Sequence, residues 1–323
     1  MMANRVVYLN GKFVAESEAR VSIFDSALMF GDMAFEMTRT YRQELFRLDE
    51  HIDRLYDSLR LLEIDCGLTI EQMKQQSLET LERNLPTESD EFDWQIMHNV
   101  SRGPLGVYSP AFPQGIAPTV SINCWPLVSH VGGMAEKILH GVQVAIVAQH
   151  AIPNHLLDPR AKTRSRMHYQ MAIMQGARMG NVFGVMLDPD GYLAEGPGWN
   201  IFLVRDGALL TPEPRNILIG VSRGAIIDIA RSLDIEVHEC NLGRLEALQA
   251  DEIFCTSTPF GAVHASHFEG QQVGDGSAGP VYRRLIEAWQ EMVGVDFAAE
   301  AQSYAAQLPG WLEKESQASA ALT

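Results

Sequence analysis

A mixed α/β (α+β) fold divided into two domains is the class this sequence predicts, and three observations predict it. The chain has 323 residues, enough for about two domains. Hydrophobic residues make up 46% against 20% charged, a composition that can fill buried cores. Strand-like and helix-like patterns intermix along the whole length, with a Gly132-Gly133 connector near the middle.

Each element follows from local chemistry. Val6–Leu9 and Lys12–Ala15 flank Asn10-Gly11, whose residues tolerate the positive φ of a tight hairpin turn. Leu45-Phe46-Arg47-Leu48 reads as a strand. His51–Ile64 reads as a helix, because Ile52, Leu55, Tyr56, Leu59 and Leu62 recur at helical spacing. A more polar helix spans 70–84 and ends before Pro86, and a strand covers Trp94–Ser101. A proline-rich loop from Gly103 to Pro118 follows. After the connector come a strand at Gln143–Ala148, a helix at Tyr169–Met179 and a hairpin through Asp188-Pro189-Asp190-Gly191. Strands at Asn200–Arg205 and Leu209-Leu210 precede a helix at Arg223–Leu233. Strands at Ile235–His238 and Glu252–Cys255 and a helix at Pro280–Met292 complete the core. The expected boundaries are 1–127 for the first domain, 128–138 for the connector, 139–297 for the second domain and 298–323 for a loosely held helical tail.

Composition excludes several function classes. With 25 Lys+Arg against 41 Asp+Glu the net charge is −16, which argues against a polyanion-binding surface and hence against nucleic acid or anionic lipid as partners. The four cysteines, Cys66, Cys124, Cys240 and Cys255, have neither disulfide-frame nor zinc-ligand spacing. The N-terminal apolar run is too short for a signal-peptide core, and no apolar stretch approaches the roughly 18 residues of a membrane span. A reduced, cytoplasmic protein is expected, with no metal: His264-Ala265-Ser266-His267 lacks a carboxylate at ligand spacing. Asp188-Pro189-Asp190-Gly191 lacks the remaining ligands of a calcium loop.

Two motifs carry chemistry. Gly220-Val221-Ser222-Arg223-Gly224 fits the G-x-S-x-G nucleophile elbow, with Asp251 and His264 following in hydrolase order. The elbow requires a buried strand before the serine, and only the short stretch Asn216–Ile219 is available. The same residues open a helix, where free N–H groups and the Ser222 hydroxyl can seat a phosphate; a plain N-cap serine is the competing explanation. The second motif concerns lysine, of which the chain has five: Lys12, Lys74, Lys137, Lys162 and Lys314. Only Lys162 stands in a cationic crowd, with Arg160, Arg164 and Arg166. Such neighbours lower an amine's pKa and leave more of it nucleophilic, as Schiff-base chemistry requires, although a solvated basic loop would look the same.

Five ordered blocks resemble the class IV (fold type IV) pyridoxal-phosphate aminotransferases, the group of branched-chain and D-amino-acid aminotransferases. They are Val21–Asp25 with Phe30–Glu36, Phe46–Leu55, Asp190–Phe202, Gly220–Arg223 and Ala250–Thr258. The resemblance implies the two-domain D-amino-acid-aminotransferase-like fold, a homodimer, and pyridoxal 5'-phosphate held between the domains. It implies ping-pong transfer between an amino donor and a 2-oxo acid. It assigns Lys162 to the aldimine and the proton shuttle, and Glu195 to the pyridine nitrogen. Arg54, Val221, Ser222 and Thr258 fall to the phosphate. Periodicity alone would leave Arg54 as a solvated arginine. The family's tyrosine five positions after the lysine is replaced by Met167, with Tyr169 as the nearby hydroxyl.

The substrate positions depart further. The arginine and histidine that trap a carboxylate in D-amino-acid members do not follow Arg102-Gly103, since no Lys or Arg recurs before Lys137. Gln95 and Met97 stand where branched-chain members carry tyrosine and arginine, and Pro259 has no N–H to offer in the turn after Thr258. Phe30 and Phe35 complete the implied substrate set. Arg39, Arg102 or a partner-subunit residue are left as carboxylate readers, with structural ion pairing the alternative for each. A branched-chain-like aminotransferase with an altered pocket is the first expectation. An (R)-selective amine transaminase, suggested by Glu195–Asn200, comes second; a D-amino-acid transaminase, an aminodeoxychorismate-type lyase and a Ser222 hydrolase follow.

Overall fold

In the computed structural model, which describes residues 5–320, the chain divides into two units. The first contains the chain through Gly132, the short segment Ala161–Arg166 and the stretch from Tyr304 onward; the second contains Gly133–Arg160 and Met167–Ser303.

The first unit begins with the hairpin β1 (Val6–Leu9) and β2 (Lys12–Ala15) around Asn10-Gly11. It continues through α1 (Ser26–Phe30), β3 (Met33–Tyr41), β4 (Glu44–Leu45), α2 (Leu48–Leu61), α3 (Ile70–Asn84), β5 (Trp94–Ser101), β6 (Thr119–Pro126) and α4 (Val128–Gly132). Its sheet runs β2-β1-β6-β5-β3-β4 and is antiparallel throughout. Ile52, Leu55 and Leu59 of α2 and Met73 and Leu81 of α3 pack on Trp94, Ile96, Val100, Ile122 and Cys124. The other sheet face carries the register pairs Phe35–Asn99, Met37–Met97 and Arg39–Gln95.

The strand expected at Leu45–Leu48 stops at Leu45: Phe46 and Arg47 form a turn, and Leu48 opens a helix. Only Glu44–Leu45 pairs with β3, and α2 begins at Leu48 after Arg47, whose φ is 50°. The β3–β4 turn puts Arg42 and Gln43 at φ 54° and 65°. The Asp93 carboxylate supports this strained turn by accepting both their N–H groups at 3.1 and 2.8 Å.

The second unit contains α5 (Ala135–His140), β7 (Val142–Ile146), α6 (Met167–Arg178), β8 (Phe183–Val185), β9 (Glu195–Gly196), β10 (Trp199–Arg205), β11 (Ala208–Pro212) and α7 (Val221–Ser232). Then come β12 (Val237–Cys240), α8 (Arg244–Leu248), β13 (Glu252–Ser257), β14 (Gly261–Phe268), β15 (Gln271–Gln272) and α9 (Pro280–Val293). The main path is β12-β11-β10-β13-β14-β7-β8, with parallel pairs β11–β12, β14–β7 and β7–β8. Val144, Val185, Ile201, Leu203, Ile253, Cys255 and Val263 share one core. Phe202 stacks on Phe254 at 5.0 Å between ring centroids, and Phe254 meets Tyr282 of α9 at 5.4 Å.

The last helix, α10 (Phe297–Ala320), is better held than the expected loose tail. Ala301, Tyr304 and Trp311 are buried, and the Asp93 N–H donates to the Tyr304 hydroxyl at 2.7 Å. No described helix is long and apolar enough to cross a membrane.

Candidate active site

Lys162 is pinned through its backbone on two sides. Residues 161–166 run beside the start of β3, where Ala34 bridges Thr163 and the Phe35 N–H donates to the Lys162 carbonyl at 2.9 Å. The Lys162 N–H donates to the Ser58 hydroxyl of α2 at 3.0 Å. Its amine lies 5.0 Å from the centroid of the Phe35 ring. The flexible stem of the lysine thus springs from a base held by a strand and a helix.

Arg54 is no solvated arginine. Its side chain is 11% exposed and grips Glu36, with Nε on Oε2 at 2.8 Å and Nη2 on Oε1 at 2.7 Å. Glu36 is fully buried, and His51 Nδ1 stands 3.0 Å from its Oε1. Burial alone would raise the Glu36 pKa, but Arg54, Lys162 and His51 overcome it and hold the carboxyl well below its usual range. Burial pushes the His51 pKa down against the pull of Glu36; since a carboxylate only accepts, the Nδ1 that faces Glu36 is assigned a proton. Sequence reading misses Glu36 and His51 as partners of this arginine. The signal is present, an acid flanked by Phe35 and Met37 in one of the blocks, but it shows a charge without its partner.

In the second unit Glu195 is 4% exposed. Its carboxylate accepts from the Tyr169 hydroxyl of α6, from the Leu218 N–H at 3.0 Å and from the Asn200 amide at 3.4 Å. Asn200 also donates to the Leu218 carbonyl at 3.0 Å, which ties the approach to α7 against β10. Tyr169 therefore points its hydroxyl at the acid that the sequence resemblance gives to the pyridine nitrogen. Met167, at the family's tyrosine position, is exposed.

Val221 and Ser222 are the first two residues of α7, and both are buried. Gly220 is the N-cap and supplies no side-chain cap, so Ser222 is not itself the cap. A Cβ on Gly220 would run into the Asn200 Oδ1, so glycine lets the chain lie flat there. The uncapped N–H groups at this helix start suit a phosphate. Thr258 and Pro259 form the turn between β13 and β14, and Thr256 two residues earlier has a buried hydroxyl without a hydrogen-bond partner among the described residues.

The remaining substrate candidates belong to the first unit. Phe35 and Met97 meet at Arg164, whose guanidinium lies 3.7 Å from the Phe35 centroid and donates to Met97 Sδ at 2.9 Å. Gln95 is on the same sheet face, with its Oε1 3.4 Å from His130 Nδ1. Phe30, in α1, is exposed. Arg102 is engaged by Asp32 at 2.8 Å and by the Leu62 and Glu63 carbonyls. Arg39 is buried, donates to the Thr40 carbonyl and covers the Tyr41 ring at 3.9 Å.

The hydrolase geometry is absent. Asn216–Ile219 forms no strand, so Ser222 lacks its elbow, and the Asp251 carboxylate accepts the Asp206 N–H at 2.8 Å. His264 lies on β14 with its ring 5.8 Å from Tyr282. No cluster that could hold a metal ion occurs among the described residues.

Residues 33–268 match the family model of class IV amino-transferases. The chain belongs to the class IV aminotransferases. It is thus a pyridoxal-phosphate-dependent enzyme, with the mixed α/β fold of that class. A Methanocaldococcus jannaschii relative is 34% identical over 287 residues, 88% of this chain and 96% of its own length. The branched-chain-amino-acid aminotransferase of Escherichia coli (strain K12) is 30% identical over 291 residues, covering 88% of this chain and 91% of that protein. A crystal structure of the E. coli branched-chain enzyme superposes with a TM-score of 0.81 at 29% identity, covering 92% of this chain and 96% of that one. The branched-chain aminotransferase of the thermophilic archaeon Thermoproteus uzoniensis, solved with norvaline, gives 0.77 at 27% identity over 93% and 96%.

Proposed function

We propose that this enzyme transaminates branched-chain-like amino acids with a 2-oxo acid acceptor, on pyridoxal phosphate carried by Lys162. The observation that carries the reading is the doubly pinned backbone of Lys162, the one lysine of five set in a cationic crowd. The residues fit the cofactor chemically. Val221 and Ser222 offer uncapped N–H groups and a hydroxyl to a phosphate, and Arg54 and Thr258 add a guanidinium and a second hydroxyl. Glu195 is a buried acceptor suited to a protonated ring nitrogen.

The cofactor, when bound, supplies an electron sink for the charge that develops at the substrate Cα. Lys162 Nζ, set free when the amino donor takes its place on the cofactor, would act as the base that accepts the proton from the substrate Cα. Ser58 and Phe35 limit where that amine can swing, because they fix its Cα. Tyr169, Asn200 and the Leu218 N–H hold the Glu195 carboxylate in place. Amino donor and oxo acid use the same residues in turn, which is the basis of ping-pong kinetics.

Homodimeric assembly and a cytoplasmic location belong to the same proposal. The free thiols Cys66, Cys124, Cys240 and Cys255 support a reducing compartment. Sedimentation at micromolar concentration checks the dimer.

Borohydride reduction followed by peptide mass mapping tests the assignment. The expected result is a cofactor-derived adduct on Lys162 that Lys162→Ala lacks. An adduct on another lysine removes the assignment, and no adduct anywhere removes the cofactor reading. A half-reaction screen against L-leucine, D-alanine and (R)-1-phenylethylamine tests the substrate class; L-leucine is expected to bleach the cofactor band fastest.

A further inference from the structure

Every substrate in the proposed reaction carries a carboxylate on the carbon that exchanges its nitrogen, and a cation close to Lys162 suits it. The first unit offers several arginines, and most are already committed. Arg54 is held bidentately by Glu36, Arg102 by Asp32, and Arg39 is buried against Tyr41 and the Thr40 carbonyl. Arg164 differs. Its Nη2 donates to Met97 Sδ at 2.9 Å and to Asn99 Oδ1 at 3.0 Å, and no carboxylate among the described residues pairs with it. A thioether is a weak acceptor and an amide oxygen a neutral one, so this guanidinium makes poor use of its donors.

Its position is also defined. The Arg164 N–H donates to the Met33 carbonyl at 2.9 Å, which aligns the residue with β3. Lys162 Nζ, Arg164 Cζ and Arg166 Cζ gather on one ring, at 5.0, 3.7 and 5.4 Å from the Phe35 centroid. Phe35 holds the planar guanidinium by cation–π contact while leaving its edge N–H groups available. The side chain is exposed within the chain and so open to a ligand.

We infer that Arg164 reads the substrate carboxylate, with Phe35 as its platform and Met97 and Asn99 as the weak partners that the carboxylate replaces. The inference rests on the transaminase reading above and concerns the same site. It makes Arg164, two residues after the cofactor lysine, a binding residue shared by amino donor and oxo acid. It also accounts for Met97 on the sheet face, since an arginine there would place a second cation against the Arg164 guanidinium.

The test uses the holoenzyme and two probes that cannot react, 4-methylvalerate and its neutral amide, titrated against the cofactor absorbance. Wild type is expected to prefer the acid by at least about tenfold. Arg164→Gln should lose that preference while keeping the lysine-bound cofactor and the affinity for the amide, and Arg164→Lys should restore part of it. Retention of the acid preference in Arg164→Gln overturns the inference, as does a wild type that binds both probes equally. A parallel loss of amide affinity or of melting temperature would make Arg164 structural and overturns it too. Failure of the transaminase reading is separate: wild type would then show no lysine-bound cofactor band at all.

Discussion

Two buried glutamates, one in each unit, are held by different kinds of donor. Glu36 is fully buried and is answered by charge, through the bidentate guanidinium of Arg54, with the His51 ring adding a hydrogen bond. Glu195 is almost as buried, but its named donors are neutral: a tyrosine hydroxyl, a backbone N–H and an asparagine amide. Neutral donors orient a carboxylate without cancelling its charge, as the proposed role on a cationic ring nitrogen requires. A bidentate guanidinium cancels the charge and fixes geometry, and in the proposed site it orients Arg54 toward a phosphate. In the proposed site the first acid would position a binding group, whereas the second would itself be an electrostatic group.

Breaking each in turn should separate these roles. Glu36→Gln removes the carboxylate paired with the buried Arg54 guanidinium and is expected to cost about 3–5 kcal/mol of stability in cofactor-free protein. Inorganic phosphate or the cofactor should recover part of that loss, because either can partner the arginine; chemical denaturation with and without phosphate measures it. Glu195→Gln should instead leave stability within about 1 kcal/mol of wild type, since the Tyr169 hydroxyl can turn to accept from the new amide. Its kcat should fall by about 100-fold or more, equivalent to about 2.7 kcal/mol of barrier. Equal stability losses in the two variants would erase the distinction.

Tyr169→Phe probes the neutral cradle alone. Removing one donor to a charged group should raise the barrier by about 1.5 kcal/mol, well short of Glu195→Gln. An effect as large as Glu195→Gln would mean that Tyr169 itself touches the reacting groups. Acid pH gives the smallest effect, invisible at neutrality. Glu36 has a depressed folded-state pKa, so its contribution is complete above the ordinary value of 4.5 and is lost as pH falls through the lower folded value. Wild-type stability should therefore fall more steeply below pH 4.5 than that of Glu36→Gln, which has no carboxyl there to protonate.

The legible parts of the fold were those with a clean period. The Asn10-Gly11 hairpin, the apolar stripe of α2 and the helix opening at Val221 follow from spacing and turn chemistry, and the structure has all three. β3 was illegible, though it pairs with β5 from Met33 to Arg39. Its helix-facing side carries Ala34, Glu36, Thr38 and Thr40, while Phe35 and Met37 lie on the other face, so the usual apolar-inside pattern is inverted. β14 was missed because His264, Ser266 and His267 interrupt a mostly buried run. The C-terminal helix has few large apolar residues, yet Tyr304 and Trp311 anchor it where spacing alone showed only a polar, alanine-rich tail.

By itself the sequence determined the family, through ordered blocks, and the one lysine whose neighbours suit Schiff-base chemistry. Both are properties of spacing along the chain. Only the tertiary structure decided which charge answers which. It gave Arg54 to Glu36 and Arg102 to Asp32, left Arg164 with neutral partners over Phe35, and set the Tyr169 hydroxyl on Glu195. The reason is physical. Partners 18, 70, 65 and 26 residues apart meet only after strands and helices pack, and a charge's role depends on the partner that packing supplies.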